Sequence, residues 1–134
     1  IFVEATEFYE DDIGMGGDGG IAINAQDLGK FMDELMSGNI VNSFSLSQMT
    51  AWFEGGYSTD GKAGYGLYYE EYEYGATIGH GGGIIGFEAG MDYFADNDVT
   101  IIKLFNTDLI LTTEAYDENF NSFSINLKKA VMNQ

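Results

Sequence analysis

The stretch that decides the fold is TIGHGGGIIGF, residues 77–87. It contains the only histidine of the chain, His80, directly before Gly81, Gly82 and Gly83. A histidine needed only for packing does not require neighbours without side chains, whereas a backbone that another molecule approaches closely does. The residues on both sides of the glycines are typical of strands. We therefore interpret the stretch as the end of one strand and the start of another.

Around this stretch, apolar and polar residues alternate, which is typical of half-buried strands. The sequence predicts an antiparallel sheet of about four strands between residues 64 and 105, formed by GYGLYYEEY, YGATIGH, FEAGMDYF and VTIIKLF. The turn ADND, residues 95–98, joins the last two, because Asn and Asp tolerate the backbone angles of tight turns. The last strand, Val99–Phe105, is apolar on both faces except at Lys103. We therefore expect it to be a central strand.

Before and after the strands the apolar residues recur with the helical period of 3.6. Helices are predicted at about residues 25–37, 45–53 and 120–132. Asn24 is expected to cap the first helix, and Ser45 with Gln48 has the spacing of a capping box at the second. Two helices, an antiparallel meander and a closing helix predict an α+β fold with flanking helices. The 134 residues are enough for one domain.

The composition excludes several classes of partner and site. The net charge is −17, and the five basic residues are scattered lysines. Because binding to a phosphate backbone requires a basic stripe, we exclude nucleic acid as a partner. Without cysteine the chain has neither disulfides nor thiolate metal sites. No membrane span is expected, since no apolar run is long enough, and these residues contain no pattern typical of a signal peptide.

Several chemistries can require glycines beside a histidine. A phosphate-binding loop needs a helix N-terminus after the glycines, but strand-like residues follow here. A metal site needs several ligands, and His80 offers one, so no metal or cofactor is expected. In acyl transfer, a backbone N–H stabilises the oxyanion and a histidine binds a carboxylate or transfers a proton. The structural alternative is a β-bulge with a hydrogen-bonded histidine at a tight corner, and the spacing alone leaves it open.

Two long stretches resemble a known family. AINAQDLGKFMDELMSGNIVNSFSLSQMT and GYGLYYEEYEYGATIGHGGGIIGFEAGMDYFADNDVTIIKLFN resemble, in unbroken order, the C-terminal part of serine β-lactamase-like proteins. That family includes class C β-lactamases, D-alanyl-D-alanine carboxypeptidases and related esterases. The resemblance covers residues 16–106 and implies the C-terminal portion of a serine β-lactamase/DD-peptidase-like fold. It also implies acyl transfer on a β-lactam, a D-Ala peptide or an ester, in the periplasm or outside the cell.

The resemblance also assigns roles to the glycine block. Family members carry Lys-Thr-Gly, or a variant with histidine, on a strand at the edge of the active-site cleft. By position, His80, Gly81 and Gly82 match this element, and the N–H of Gly83 matches the one that completes the oxyanion hole. The resemblance therefore implies that His80 and Gly83 are catalytic, and that His80, Gly81, Gly82 and Gly83 bind the substrate.

The other two active-site elements of the family are absent from the sequence. No Ser-x-x-Lys occurs, and TDGK at residues 59–62 lies in a glycine-rich loop instead of opening a helix. No Tyr-x-Asn occurs, and SGN at residues 37–39 and SIN at residues 124–126 fall in predicted helical regions. We therefore interpret residues 1–134 as a single partial domain without its nucleophile, which is expected to be inactive alone.

Two functions follow from this interpretation. The first is a C-terminal piece of a serine hydrolase, whose partners are a small-molecule or peptide acyl substrate and the missing N-terminal segment. The second is a non-catalytic remnant or binding module of the same fold. In both, an apolar surface that the missing segment would cover predicts self-association.

Overall fold

The computed structural model of the chain describes residues 19–56, 60–84, 86–106 and 114–132, the last range with side chains from residue 122 onward. Within these residues, three helices accompany a six-stranded sheet. The helices are α1 (Ala25–Met36), α2 (Ser43–Met49) and α3 (Glu114–Met132). The strands are β1 (Phe53–Glu54), β2 (Lys62–Ala63), β3 (Tyr68–Tyr72), β4 (Gly75–Ile84), β5 (Phe87–Phe94) and β6 (Val99–Phe105). The predicted α+β fold is confirmed.

The sheet is an antiparallel meander in chain order, β1-β2-β3-β4-β5-β6. The turn between β5 and β6 lies at the predicted place, where the Asn97 N–H donates to the Phe94 carbonyl at 3.2 Å. Asp98 has a φ of 53°, a conformation that Asp tolerates better than most residues. β1 and β2 were not predicted, because alternation cannot be recognised in strands of two residues.

The prediction that Val99–Phe105 forms a central strand was wrong, because β6 is at one end of the described sheet. Its apolar pattern has another cause. Helix α1 packs on one face of β6, where a Cβ at Gly29 would lie 3.5 Å from Ile102. On the other face α3 contributes Phe123, whose ring meets that of Phe105 edge to face at 6.2 Å. Helices on both faces, and not strands on both sides, therefore explain the apolar pattern.

Helix α1 begins and ends close to its predicted bounds, whereas α2 does not. The Asn24 side chain caps α1 by accepting a hydrogen bond from the Asp27 N–H at 2.8 Å. Helix α2 starts two residues earlier than predicted, because Asn42 caps it by accepting from the Ser45 N–H at 2.8 Å. The predicted capping box at Ser45 was therefore wrong: Asn is as good an N-cap as Ser, and it comes first in the chain.

The end of α2 and the start of α3 also differ from the prediction. Helix α2 ends at Met49 instead of residue 53, because Phe53 begins β1. Helix α3 begins at Glu114, six residues before the predicted start. The apolar stripe that defined the prediction begins only at residue 120, so it could not reveal the polar first turns of the helix.

The core lies between the helices α1 and α2 and one face of the sheet. Its centre is formed by Met32, Leu35 and Leu67, which are at most 3 % exposed. Ile78 of β4 and Met91 of β5 pack against this centre. Because the core holds β4 at Ile78, the following residues of the strand are presented at a fixed place beyond it.

A strand at the edge of the candidate cleft

Strand β4 runs from Gly75 to Ile84 without interruption, so His80 lies inside one strand and not between two. Its pairing with β5 is one to one from Ile78↔Tyr93 to Ile84↔Phe87. A β-bulge would place two residues of β4 opposite one of β5. Both the interpretation as two strands and the bulge alternative were therefore wrong.

The two sides of β4 are not paired over the same length. On the β3 side, pairing extends from Tyr72↔Gly75 to Tyr68↔Gly79 and ends there. Residues 80–84, which we call the outer half of β4, pair within the described sheet with β5 only. All four predicted site residues, His80, Gly81, Gly82 and Gly83, lie in this outer half. The side of a strand without a neighbour is a surface on which a further extended chain can add.

The glycines of β4 differ in what the packing requires of them. A Cβ at Gly79 would lie 2.0 Å from the Met91 carbonyl oxygen, so packing requires glycine there. Among the residues that the structure describes, no atom would lie within 4 Å of a Cβ at Gly82, and a Cβ at Gly83 would make an ordinary contact of 3.7 Å with the Phe87 carbonyl oxygen. Packing within the described chain therefore does not explain glycine at Gly82 or Gly83. Their effect is to leave the backbone approachable from solvent.

His80 is exposed at the start of the outer half of β4. Its imidazole packs against the ring of Tyr68, with ring centroids 5.2 Å apart and an interplanar angle of 48°. Tyr68 is half-buried and is the first residue of β3. Sequence reasoning missed this contact, because alternation identifies a strand but does not give its register against a neighbouring strand.

A cavity of about 310 Å³ lies next to β4 and is bounded in part by residues of α3. It contains a charged cluster that the sequence did not predict, formed by Asp92, Lys103 and Lys128. The two carboxylate oxygens of Asp92 lie 2.8 Å from the Lys128 ammonium and 3.0 Å from the Lys103 ammonium. Burial lowers the pKa of Lys128 from its ordinary value, although the carboxylate of Asp92 acts in the opposite direction.

The same cluster decides whether Ser124 is a nucleophile. The Ser124 hydroxyl accepts a hydrogen bond from the Lys103 ammonium at 2.8 Å. In this bond the Lys103 nitrogen is the donor, and it also pairs with Asp92, whereas a base that activates a hydroxyl must accept its proton. Ser124 lies within α3, the helix in which the sequence placed the SIN stretch.

The other two motif-like stretches also lack catalytic geometry where they can be described. Ser37, of the SGN stretch, is the C-cap of α1, and its N–H donates to the Asp33 carbonyl at 2.9 Å. Thr59, of the TDGK stretch, lies outside the described residues. Lys62, of the same stretch, is in β2 with its ammonium 5.4 Å from the centroid of the Tyr69 ring.

Two further properties concern only the part of the chain that the structure describes. There, no three His, Asp or Glu side chains are grouped so that they could hold a metal ion. None of the helices described is both long enough and apolar enough to cross a membrane.

Comparison with known proteins identifies the family. The family model described as Beta-lactamase matches residues 3–120, most of the chain. The chain belongs to the beta-lactamase family. Strand β4, whose outer half pairs within the described sheet with β5 only, is therefore a strand of a beta-lactamase-type fold, and relatives of the chain are enzymes of acyl transfer.

Two solved structures are similar to this beta-lactamase-family chain. One is a D-stereospecific amidohydrolase from a Streptomyces species, with a TM-score of 0.57, 25 % identity, and coverage of 63 % of this chain and 26 % of the enzyme. The other is a D-amino acid amidase from Ochrobactrum anthropi SV3 complexed with D-phenylalanine, with a TM-score of 0.53, 24 % identity, and coverage of 63 % and 29 %. The chain thus spans between a quarter and a third of these enzymes. No curated protein matches it.

Proposed function

We propose that the chain is the C-terminal part of a serine hydrolase of the beta-lactamase family and contributes the strand at the edge of its cleft. The substrate class is an acyl compound: a β-lactam, a D-Ala peptide, an ester or the amide of a D-amino acid. The names of the two similar enzymes support the last of these. A periplasmic or extracellular location is supported by the family resemblance alone.

One observation carries this proposal. Within the described part of the chain, the outer half of β4 pairs with β5 only, and no atom lies within 4 Å of the Cβ position of Gly82. An extended acyl substrate can therefore lie beside this strand without meeting a side chain at its centre. At this edge a substrate carbonyl comes within reach of backbone N–H groups that do not need to reorganise during the reaction.

The N–H of Gly83 is proposed to donate to the acyl oxygen of the substrate. As a serine hydroxyl attacks the acyl carbon, this oxygen gains negative charge, and a fixed donor stabilises it more in the transition state than in the ground state. The leaving amine or alcohol departs with a proton, and water then releases the acyl group from the serine. One such donor contributes about 3 kcal/mol of transition-state stabilisation.

His80 is proposed to act at the start of the same edge. Its exposed imidazole can bind a substrate carboxylate in its charged form or transfer a proton in its neutral form. The nucleophile is proposed to lie in a segment outside these 134 residues, because the sequence contains no Ser-x-x-Lys. The chain covers 26 % and 29 % of the two similar enzymes, which supports placing the nucleophile in a segment outside it.

The test uses the chain joined to its missing segment, assayed for covalent labelling by a fluorescent penicillin and for hydrolysis of D-amino acid amides. The variant is Gly82→Val, which puts a branched side chain beside the proposed substrate path. We expect acylation to slow by about two orders of magnitude while the unfolding temperature changes little, because Val is favourable in strands. Glu71→Val is the matched control, since Glu71 is exposed on β3 and away from the outer half of β4.

Normal acylation of Gly82→Val, or a loss that follows unfolding, would reject the assignment of this edge. A His80→Ala variant tests the histidine separately. If the imidazole carries a proton or a charge in the reaction, this variant changes the dependence of acylation on pH as well as the rate.

The second candidate is a binding module that receives an extended peptide at the same edge without chemistry. It is favoured by the hydrogen bond that Lys103 donates to Ser124, because a catalytic base would have to accept a proton from that hydroxyl. The upstream gene sequence discriminates between the two candidates. An in-frame Ser-x-x-Lys supports the hydrolase, whereas a start codon directly before Ile1 supports the module.

A further inference from the structure

We propose that Tyr68 is a positioning residue that holds the His80 imidazole beside the outer half of β4. Its effect on catalysis rests on the proposed function, but the effect on the imidazole does not. The two rings are in contact at a centroid distance of 5.2 Å, tilted by 48°. Tilted aromatic pairs of this kind are favourable beyond the area that they bury.

The register explains why Tyr68 can reach His80. Tyr68 pairs with Gly79, the residue directly before His80. Because Gly79 has no side chain, none separates the Tyr68 ring from His80, the next residue of β4, and the two rings come into contact. Tyr68 is also the first residue of β3, and the pairing of β3 with β4 stops there. Its ring therefore lies next to the outer half of β4.

A held imidazole is useful to the proposed reaction. His80 is exposed, and a ring contact such as that with Tyr68 restricts the rotamers that an exposed side chain adopts. Fixing it before the substrate arrives means that its rotational freedom is not lost during the reaction. Tyr68 therefore acts through His80, and its own hydroxyl is not required.

The neighbouring tyrosine provides a matched control. Tyr69 follows Tyr68 in β3 and pairs with Ile78, and its ring makes other contacts than that of Tyr68. Its ring packs against Trp52 at a centroid distance of 5.6 Å and receives the Lys62 ammonium at 5.4 Å. Replacing Tyr69 therefore removes a ring of the same size from the same strand without touching the contact with His80.

The first experiment is proton NMR of the 134-residue chain. His80 is its only histidine, so the imidazole Cε1 proton gives one signal. In the wild type we expect a nuclear Overhauser effect between this proton and the Tyr68 ring, together with a ring-current shift. Tyr68→Leu should move the signal towards that of a free histidine, whereas Tyr68→Phe and Tyr69→Leu should leave it in place.

Two NMR results would overturn the proposal: no Overhauser effect in the wild type, or a His80 signal that does not move in Tyr68→Leu. The wild-type measurement needs no substitution, so it decides the question even if Tyr68→Leu fails to fold. A signal moved as far by Tyr69→Leu as by Tyr68→Leu would also reject a specific role for Tyr68.

The second experiment measures acylation in the enzyme joined to its missing segment. Tyr68→Leu should lower the acylation rate roughly tenfold at saturating substrate with little change in substrate binding, because geometry at the reacting group is what it loses. Tyr68→Phe should restore the rate, and Tyr69→Leu should not affect it. Failure of Tyr68→Phe to restore the rate would mean that the hydroxyl acts, which contradicts the proposal. If the wild type is not acylated at all, the proposed function fails and the NMR result alone decides the positioning role.

Discussion

Two glycines of one strand, Gly79 and Gly82, carry different constraints, and the difference can be measured. A Cβ at Gly79 would be 2.0 Å from the Met91 carbonyl oxygen, a backbone atom that cannot rotate away, whereas a Cβ at Gly82 would meet no atom of the described residues within 4 Å. We expect Gly79→Ala to lower the free energy of unfolding by roughly 2 kcal/mol, as in other overpacked sites. Gly82→Val should stay within about 0.5 kcal/mol of the wild type. Urea unfolding of the two variants checks this, and equal losses would contradict the packing described for β4.

Tyr72 provides a prediction on alkaline pH. Burial, with a smaller contribution from the charges of Asp92 and Glu70, raises the pKa of the Tyr72 phenol to about 12. In the unfolded chain the same phenol loses its proton near its ordinary pKa of about 10. The folded state therefore keeps a proton that the unfolded state has lost. The contribution of the protonated phenol to the free energy of unfolding is therefore complete below pH 10 and is lost as the pH rises through 12.

The measurement is the urea midpoint between pH 9 and pH 12 for the wild type and Tyr72→Phe. Because the phenol is only partly buried, we expect the wild type to lose roughly 1 kcal/mol more than the variant over this interval. Tyr65→Phe is the control, since Tyr65 is 67 % exposed. If both variants lose stability in parallel with the wild type, Tyr72 is not the group responsible.

At the level of residues, the sequence predicted the candidate site only in part. His80 and its glycines were identified because an isolated histidine beside three glycines is unusual in any strand. Tyr68 and the cluster around Asp92 were not identified. Their contacts join residues 11 or more positions apart, and such contacts depend on strand register and helix docking, which periodicity does not determine.

At the level of elements, ion pairs connect helix α3 to the sheet. The carboxylate of Asp92, in β5, lies between the ammonium groups of Lys103, in β6, and Lys128, in α3, and the three side chains are at most 16 % exposed. Asp92→Asn would leave two neighbouring buried ammonium groups without their counter-charge. We expect it to lower the free energy of unfolding by roughly 3 kcal/mol, as for other buried ion pairs broken on one side.

Asp96→Asn is the control for this prediction, because Asp96 is exposed in the turn between β5 and β6 and should be nearly neutral. Hydrogen exchange of the α3 amides offers a second measurement. In Asp92→Asn these amides should exchange faster than those of β4, since α3 loses its attachment first. Unchanged protection of α3 would contradict the role given to the cluster.

The elements predicted correctly are those for which local physics is sufficient. Helix α1 has a cap, an apolar stripe and a stop within its own residues, so its sequence determines it. The position of β6 was predicted wrongly, because an apolar strand looks the same whether helices cover it or strands flank it. The length of β4 was underestimated for a similar reason. Glycines have low strand propensity, but pairing with β5 overrides it from Gly81 to Gly83.

For the whole molecule, the first prediction concerns activity. We expect the purified 134-residue chain to hydrolyse neither a chromogenic cephalosporin nor a nitrophenyl ester, because it contains no Ser-x-x-Lys and the proposed roles of Gly83 and His80 do not replace a nucleophile. Initial rates should equal those of buffer. Steady turnover that is abolished by His80→Ala would contradict this, and it would make the remaining hydroxyls, including Thr59, candidates for the nucleophile.

The last prediction concerns self-association through β6. This strand is at the edge of the described sheet and mostly apolar, and such edges tend to pair with another chain. The net charge of −17 opposes contact between two copies, and salt screens that repulsion. We therefore expect sedimentation velocity to find a monomer at low ionic strength and a growing fraction of dimer or larger species as salt is added.

Two substitutions decide whether β6 is the surface involved. Leu104→Lys places a charge on β6, where Leu104 is 39 % exposed, and should keep the chain monomeric to higher salt. Ile21→Lys makes the same change at a residue that is 82 % exposed and outside the sheet, and should not. Because both variants reduce the net negative charge by one unit, a general charge effect would act on them equally. An equal effect of the two variants, or a monomer at every salt concentration, would therefore exclude pairing through β6.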